Sequence, residues 1–173
     1  MKCYQKYLSE LFDTKTDFQE QIFKEPGFGS YYNYETEVND NILNVTFRDN
    51  FEDFTSSMNV YDETKGIENV YEMGFSMYPK GRFDLNTYDL TAENKNMFII
   101  FGKVANILKY WIDKANPDAF YFSAKESKRK SLYDKMAQLI ERKTDYKQNN
   151  ELALVASAIV GMSSEKYYAF SKK

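Results

Sequence analysis

The strongest hydrophobic pattern in the chain lies between residues 97 and 114. Apolar side chains recur there at the spacing of one helix face: Met97, Phe101, Val104, Leu108 and Trp111. A narrow polar strip remains on the other side: Lys103, Asn106, Tyr110 and Asp113. Because a helix this apolar must be covered on most sides, the pattern predicts a long buried central helix. Its charges make it too polar for a membrane span, so no membrane association is expected.

Alternating polar and apolar positions between residues 30 and 48 predict a β-hairpin. The two strands flank a turn at Asn39, Asp40 and Asn41, residue types that tolerate the left-handed backbone of tight turns. Before the hairpin, residues 4–13 show helical spacing, and a further helical turn is predicted at 17–23. After it, residues 49–69 follow neither period.

The second half of the chain alternates between strand and helix patterns. A third strand is predicted at residues 69–78, where Gly74 favours a bulge or the close approach of another element. A proline turn at 116–118 precedes a short aromatic strand at 119–123. Amphipathic spacing predicts a helix at 127–143, and Ala and Leu favour another helix that Asn149 and Asn150 cap. The last predicted strand covers residues 166–171.

This order of elements predicts the fold class. Strands collected early and helices collected late are typical of an α+β protein, with helices on one face of a mainly antiparallel sheet. A chain of 173 residues is expected to form a single domain. Within residues 1–173, we distinguish an N-terminal helical segment (1–29), a β-rich acidic part (30–90) and a helix-rich basic part (91–173).

Rare and missing residue types exclude several classes of chemistry. The chain has no histidine, the usual general base and the commonest zinc ligand, so most nucleophile–base arrangements are excluded and no metal or cofactor is expected. Cys3 is the only cysteine, which rules out an intramolecular disulfide and suits a reducing cytoplasm. The 15 Tyr and 14 Phe residues suit either an interaction surface or half-exposed strands.

The net charge of −3 hides an asymmetry that suggests a binding surface. Residues 1–93 hold 8 basic and 18 acidic side chains, a balance of −10, whereas residues 94–173 hold 15 basic and 8 acidic ones, a balance of +7. The acidic part could form a partner-binding face: Glu35, Glu37, Asp49, Glu52 and Asp53. Such a face would bind a basic protein quickly and in a salt-dependent way. The alternative is a solvated surface that only maintains solubility.

A second candidate site lies where the predicted aromatic strand leads into the basic helix. Its residues are Ser123, Lys125, Ser127, Lys128, Arg129 and Lys130. The free N–H groups and the dipole of a helix start favour an anion, and the basic side chains add to that attraction. The site would bind a phosphate ligand or nucleic acid. Alternatively, Ser123 or Ser127 caps the helix while the lysines point into water.

One fragment is superficially similar to metal-dependent nucleases. Asp118 followed by Glu126 and Lys128 matches their spaced acid and Glu-x-Lys triplet. Those enzymes place the triplet on a strand, whereas here it lies at the predicted start of a helix. We therefore assign no catalytic residue and expect binding rather than catalysis.

The segment from the central helix onward resembles small tailed-bacteriophage proteins. In those proteins an apolar helix leads through a proline turn to an aromatic strand ending in Phe-Ser-Ala, here residues 122–124. A helix with a basic start and a Leu-Tyr-Asp triplet follows, here residues 132–134. The resemblance implies a phage accessory protein of α+β fold in the cytoplasm of a host bacterium. Its partner would be a host or defence-system protein. A virion component and a homo-oligomer remain alternatives.

Overall fold

The computed structural model describes residues 16–25, 29–49, 64–81, 94–124, 130–160 and 166–172. Its elements, in chain order, are β1 (Gln19–Glu25), β2 (Gly29–Val38), β3 (Asn41–Asp49), β4 (Val70–Pro79), α1 (Asn94–Ala115), β5 (Ala119–Ala124), α2 (Lys130–Lys143), β6 (Tyr146–Gln148), α3 (Asn150–Val160) and β7 (Lys166–Lys172). The predicted helix at residues 4–13 lies outside the described residues, as do residues 50–63.

The seven strands form one sheet in the order β1-β2-β3-β4-β5-β7-β6. Most of its pairs are antiparallel, as at β5–β7 and β6–β7, so the predicted α+β class is confirmed. The strand β4, however, runs parallel to β5 with Val70 opposite Ala119. The chain between these two strands contains α1, since parallel strands need a crossover connection.

The hairpin of β2 and β3 forms where the alternating pattern predicts it. Asn39 adopts a left-handed φ of 55°, and its turn is fixed further by the Lys80 N–H, which donates to the Asp40 carbonyl at 3.0 Å. Gly74 in β4 permits a close approach, because a Cβ there would lie 3.0 Å from Thr46 Oγ1. Both predictions are confirmed.

Two short strands were not found from the sequence. The helical turn predicted at residues 17–23 is wrong, because residues 19–25 form β1 at the edge of the sheet. Seven residues are too few to separate a period of 3.6 from a period of 2, and the backbone partners of β1 come from β2. β6 has only three residues and shows no period of its own.

The described chain divides into two compact units. The first unit contains residues 16–24, 30–47, 74–81 and 94–116, and the second contains the other described residues. In the first unit, Trp111 of α1 is fully buried and stacks on Phe47 of β3, with ring centroids 3.9 Å apart. The polar strip of α1 is half-buried where Lys103 Nζ donates to Thr36 Oγ1 at 3.0 Å. On its outer side Tyr110 is 41% exposed.

The second unit is built on β5 and β7. Phe122 stacks on Tyr168 and Phe170 of β7 at centroid distances of 5.2 and 6.0 Å. The helix α3 contributes a second cluster through Leu152, Val155 and Ala156, all buried against this part of the sheet. Asn149 caps α3 as predicted, because its Oδ1 accepts a hydrogen bond from the Leu152 N–H at 2.9 Å.

Candidate partner-binding surface

The strand β2 separates an apolar face from an acidic face. Tyr34, Thr36 and Val38 are buried, whereas Glu35 is half-buried and Glu37 is exposed. Successive side chains of a strand point to opposite sides, so Glu35 and Glu37 share one face as the sequence predicts. The acidic face of β2 is therefore the side that carries Glu35 and Glu37, opposite the side on which Tyr34 is buried.

Both glutamates have partners in neighbouring elements. The Tyr78 hydroxyl donates to Glu35 Oε1 at 2.7 Å, and Asn44 Nδ2 donates to the same oxygen at 3.4 Å. Burial and the Glu35 carboxylate raise the pKa of Tyr78 to about 12. Glu37 pairs with Lys80 at 2.7 Å, but both side chains remain more than half exposed, at 59% and 58%. An ion pair this exposed is readily exchanged for another cation.

A cleft of about 270 Å³ opens beside these glutamates. It is lined by Asp17, Phe18, Gln19, Glu35, Thr36, Glu37 and Ile42. The Thr36 hydroxyl donates to the carbonyl of Asp17 at 2.7 Å and so holds the chain before β1 against β2. Three acidic residues thus line one concave surface, which we call the acidic cleft.

The acidic cleft has the chemistry to receive a lysine or arginine side chain. The carboxylates of Asp17, Glu35 and Glu37 would attract the cationic group. Ile42 offers apolar area to the methylene groups that both basic side chains carry, whereas the ring of Phe18 packs on Tyr34 and Tyr110. No cofactor or catalytic arrangement is needed for this interaction.

The sequence identified only part of this surface. Asp17, Phe18 and Gln19 were missed because residues 17–23 were interpreted as a helical turn, and the three consecutive polar residues between Phe18 and Ile22 give no alternation that would indicate a strand. Asp49 does not line the cleft, because its side chain packs against Gly29, where a Cβ would lie 2.7 Å from it. Glu52 and Asp53 lie outside the described residues.

The predicted anion site is described only at its ends. Ser123 is half-buried in β5 opposite Tyr167, and Lys130 begins the described part of α2. Lys125, Ser127, Lys128 and Arg129 lie outside the described residues.

A lysine of β7 beside this site is already paired with an acidic residue. Lys166, which lies opposite Ala124, pairs with Asp134 Oδ1 at 2.7 Å, and its ammonium also lies 4.3 Å from the centre of the Tyr168 ring. The hydrogen bond that the Lys166 ammonium donates to Asp134 raises the pKa of Lys166. The Tyr168 hydroxyl donates to the same Asp134 oxygen at 2.6 Å, and burial raises the pKa of Tyr168 to about 12.

Asp118, the acid of the nuclease-like fragment, has a structural role. Its Oδ2 accepts hydrogen bonds from the backbone N–H groups of Glu68 and Asn69, each at 3.1 Å, and its Oδ1 lies 3.5 Å from Lys172 Nζ. The described residues contain no group of three or more carboxylate or thiol side chains that could hold a metal ion. Nothing in this arrangement supports metal-dependent hydrolysis.

Comparisons with known proteins give no functional information. No protein family, curated protein or solved structure matches the chain. Within the ranges that the structure describes, no helix is long and apolar enough to cross a membrane.

Proposed function

We propose that this protein acts by binding a macromolecular partner rather than by catalysis, and that the acidic cleft receives a basic segment of that partner. The observation that carries the proposal is that Asp17, Glu35 and Glu37 line one concave surface together with the apolar residue Ile42. A lysine or arginine on an exposed loop or helix of the partner would enter it. The resemblance to phage proteins suggests that the partner is a host or defence-system protein in the bacterial cytoplasm.

The charges of the cleft give the interaction two expected properties. Association with a basic protein should be fast, because opposite potentials steer the encounter. It should also weaken as salt increases, because exposed charges are screened over distances of about 8 Å at physiological ionic strength. The exposed Glu37–Lys80 pair would open to admit the partner's cation.

Affinity capture from bacterial lysate tests the proposal. The wild-type chain is compared with the double variant Asp17→Asn/Glu37→Gln, at low and high salt and with nuclease-treated lysate in parallel. We expect one protein to be retained by the wild type after nuclease treatment, released by salt, and lost with the double variant. The matched control is Asp113→Asn/Glu68→Gln, which removes the same charge from two exposed positions outside the cleft and should retain the partner.

Other outcomes would contradict the proposal in different ways. Equal capture by wild type and the Asp17→Asn/Glu37→Gln variant would show that the cleft is not the binding surface. Recovery of nucleic acid, or loss of every partner after nuclease treatment, would favour the basic segment at 123–130 instead. Detection of the protein in purified phage particles would favour a virion component.

A further inference from the structure

One wall of the acidic cleft comes from a short segment that lies along α1. Asp17, Phe18 and Gln19 are three of the seven residues that line the cleft, and the other four belong to β2 and β3. We call residues 16–20 the wall segment. Because it lies at the edge of the sheet, it has β2 on one side only, and its position depends on further contacts with α1.

Alternate residues of the wall segment each contact one residue of α1. The three contacts, with donor–acceptor or ring-centroid distances, are Asn106 Nδ2 to Thr16 Oγ1 at 3.1 Å, Tyr110 to Phe18 at 5.0 Å, and Lys114 Nζ to Glu20 Oε2 at 2.5 Å. Two residues of extended chain advance about 6.6 Å, and four residues of a helix advance about 6 Å. The two repeats match, so one face of α1 holds the wall segment at every second residue.

A hydroxyl group links the same face of α1 to the residue between these contacts. Lys103 Nζ donates to Thr36 Oγ1 at 3.0 Å, and Thr36 Oγ1 donates to the Asp17 carbonyl at 2.7 Å. Asp17 is one of the three acidic residues that line the cleft. The contacts with α1 therefore fix the backbone that carries it.

The Glu20 carboxylate is the part of the wall segment that depends most on its partner in α1. Its side chain is 22% exposed, and the buried Tyr34 hydroxyl lies beside it, so that burial and Glu20 together raise the pKa of Tyr34. Lys114 supplies the compensating cation, and its ammonium also lies 5.7 Å from the centre of the Tyr110 ring. Removing one partner of a largely buried ion pair leaves an uncompensated charge, which is strongly destabilising. Without Lys114, the wall segment would therefore lose its position.

We propose that Lys114 is a positioning residue for the acidic cleft, which through Glu20 holds the wall segment, and with it Asp17, where the partner's basic side chain binds. This inference rests on the proposed function of the cleft. Lys114 is not among the residues that line the cleft, so it acts through the wall segment. Its removal has two opposite effects on a basic ligand, because losing a cation strengthens the attraction while losing the wall weakens binding. The proposal requires that the second effect prevails.

Binding of a labelled hexalysine peptide, followed by fluorescence anisotropy, tests the effect on the cleft. Lys114→Met should weaken binding about fivefold, as expected when the wall segment is in place about one-fifth of the time. Lys114→Arg should bind as the wild type does, because it keeps the ion pair. Glu20→Gln/Lys114→Met should regain most of the affinity, because no uncompensated charge remains. The matched control is Lys109→Met, which removes the same charge from α1 about 100° round the helix from Tyr110 and should not weaken binding.

Amide hydrogen exchange tests the position of the wall segment without any peptide. In Lys114→Met the amides of residues 17–20 should exchange faster than in the wild type, and the peptide should slow them in the wild type. Circular dichroism and the fluorescence of Trp111, which is buried in the same unit, show whether the variant keeps its fold. If it unfolds, Asn106→Leu is used instead, because it removes only the hydrogen bond to Thr16 and should weaken peptide binding about twofold.

Different results would contradict the proposed function and this inference. Equal peptide binding by the wild type and Asp17→Asn/Glu37→Gln would overturn both, because the cleft would not be the binding surface. Where that double variant loses binding, unchanged or tighter binding by folded Lys114→Met would overturn the inference alone. Unchanged exchange of residues 17–20 in Lys114→Met would do the same.

Discussion

At the scale of single residues, Asp118 shows how one carboxylate joins three strand ends. Its carboxylate accepts the N–H groups of Glu68 and Asn69 before β4, while its own backbone carbonyl accepts the Lys172 N–H of β7. Partial burial raises the pKa of Asp118, but those two N–H donors and Lys172 outweigh it, so the pKa lies below its ordinary value of 3.8. The residue that resembled a metal ligand in sequence thus stabilises the fold.

We expect Asp118→Ala to lower the free energy of unfolding by roughly 1–2 kcal/mol at pH 7, because two backbone donors lose their acceptor. The pKa of Asp118 is lower in the folded protein than in the unfolded chain. The charged carboxylate therefore stabilises the fold fully at pH values above the unfolded pKa. This contribution is lost as the pH falls below about 4 and through the pKa of the folded state. Urea unfolding of wild type and Asp118→Asn across this acidic range should show their difference shrinking. An unchanged difference at low pH would contradict the assignment, and Asp113→Asn controls for removing one negative charge.

At the scale of elements, α3 depends on a cap that the sequence signalled. Asn149 is 5% exposed and uses both ends of its side chain, with Oδ1 accepting from the Leu152 N–H and Nδ2 donating to Ser171 Oγ at 3.2 Å. Its own N–H donates to the Ala169 carbonyl at 2.8 Å. One residue therefore starts the helix and attaches it to β7.

We expect Asn149→Ala to destabilise the protein by about 2 kcal/mol, since it removes the cap and leaves a buried N–H without its acceptor. Asn149→Asp should retain most of the stability, because a carboxylate also caps the Leu152 N–H and complements the helix dipole. Thermal unfolding monitored by circular dichroism measures both variants. The neighbouring exposed Asn150, replaced by alanine, is the control; equal losses at positions 149 and 150 would argue against the cap.

At the scale of the whole molecule, the abundance of aromatic residues is explained largely by the cores of the two units. In the first unit, Tyr34 is fully buried within contact of Phe18, Phe47 and Tyr110. In the second, the rings of β5 and β7 stack across the antiparallel pair. The sequence left open whether the tyrosines form an interaction surface or belong to half-exposed strands. For most described tyrosines, an interaction surface is not required.

The stack of Phe47 on Trp111 is expected to dominate the stability of the first unit. Phe47→Ala should cost about 4 kcal/mol, because both rings are fully buried and a cavity would remain. Trp111 is the only tryptophan in the chain, so its fluorescence reports this unit directly. Ile99→Ala, at a 43% exposed position of α1, should lower the free energy of unfolding only slightly. A similar loss of stability for Phe47→Ala and Ile99→Ala would contradict a dominant role of the stack.

Hydrophobic periodicity was sufficient to predict the long elements. The hairpin, β4, α1 and α2 each have enough residues for a period of 2 or 3.6 to be distinguished, and turn residues such as Asn39 and Gly81 mark where the strands stop, whereas α3 was predicted from its Ala and Leu content. β1 and β6 were missed because they are short and their backbone partners come from distant segments. Only part of the acidic cleft was predicted for the same reason. Glu35 and Glu37 lie on β2, whose residues alternate clearly, whereas Asp17 lies just before the short strand β1.

The sequence by itself determined the α+β class, the buried face of α1 and the shared face of Glu35 and Glu37, because all three follow from local periodicity. Tertiary structure alone decided that β4 and β5 run parallel, that Asp118 binds backbone rather than metal, and that Asp17 joins the two glutamates around one cleft. These features depend on which distant segments pair. Pairing is set by the packing and hydrogen bonding of the whole chain, which no single stretch of residues encodes.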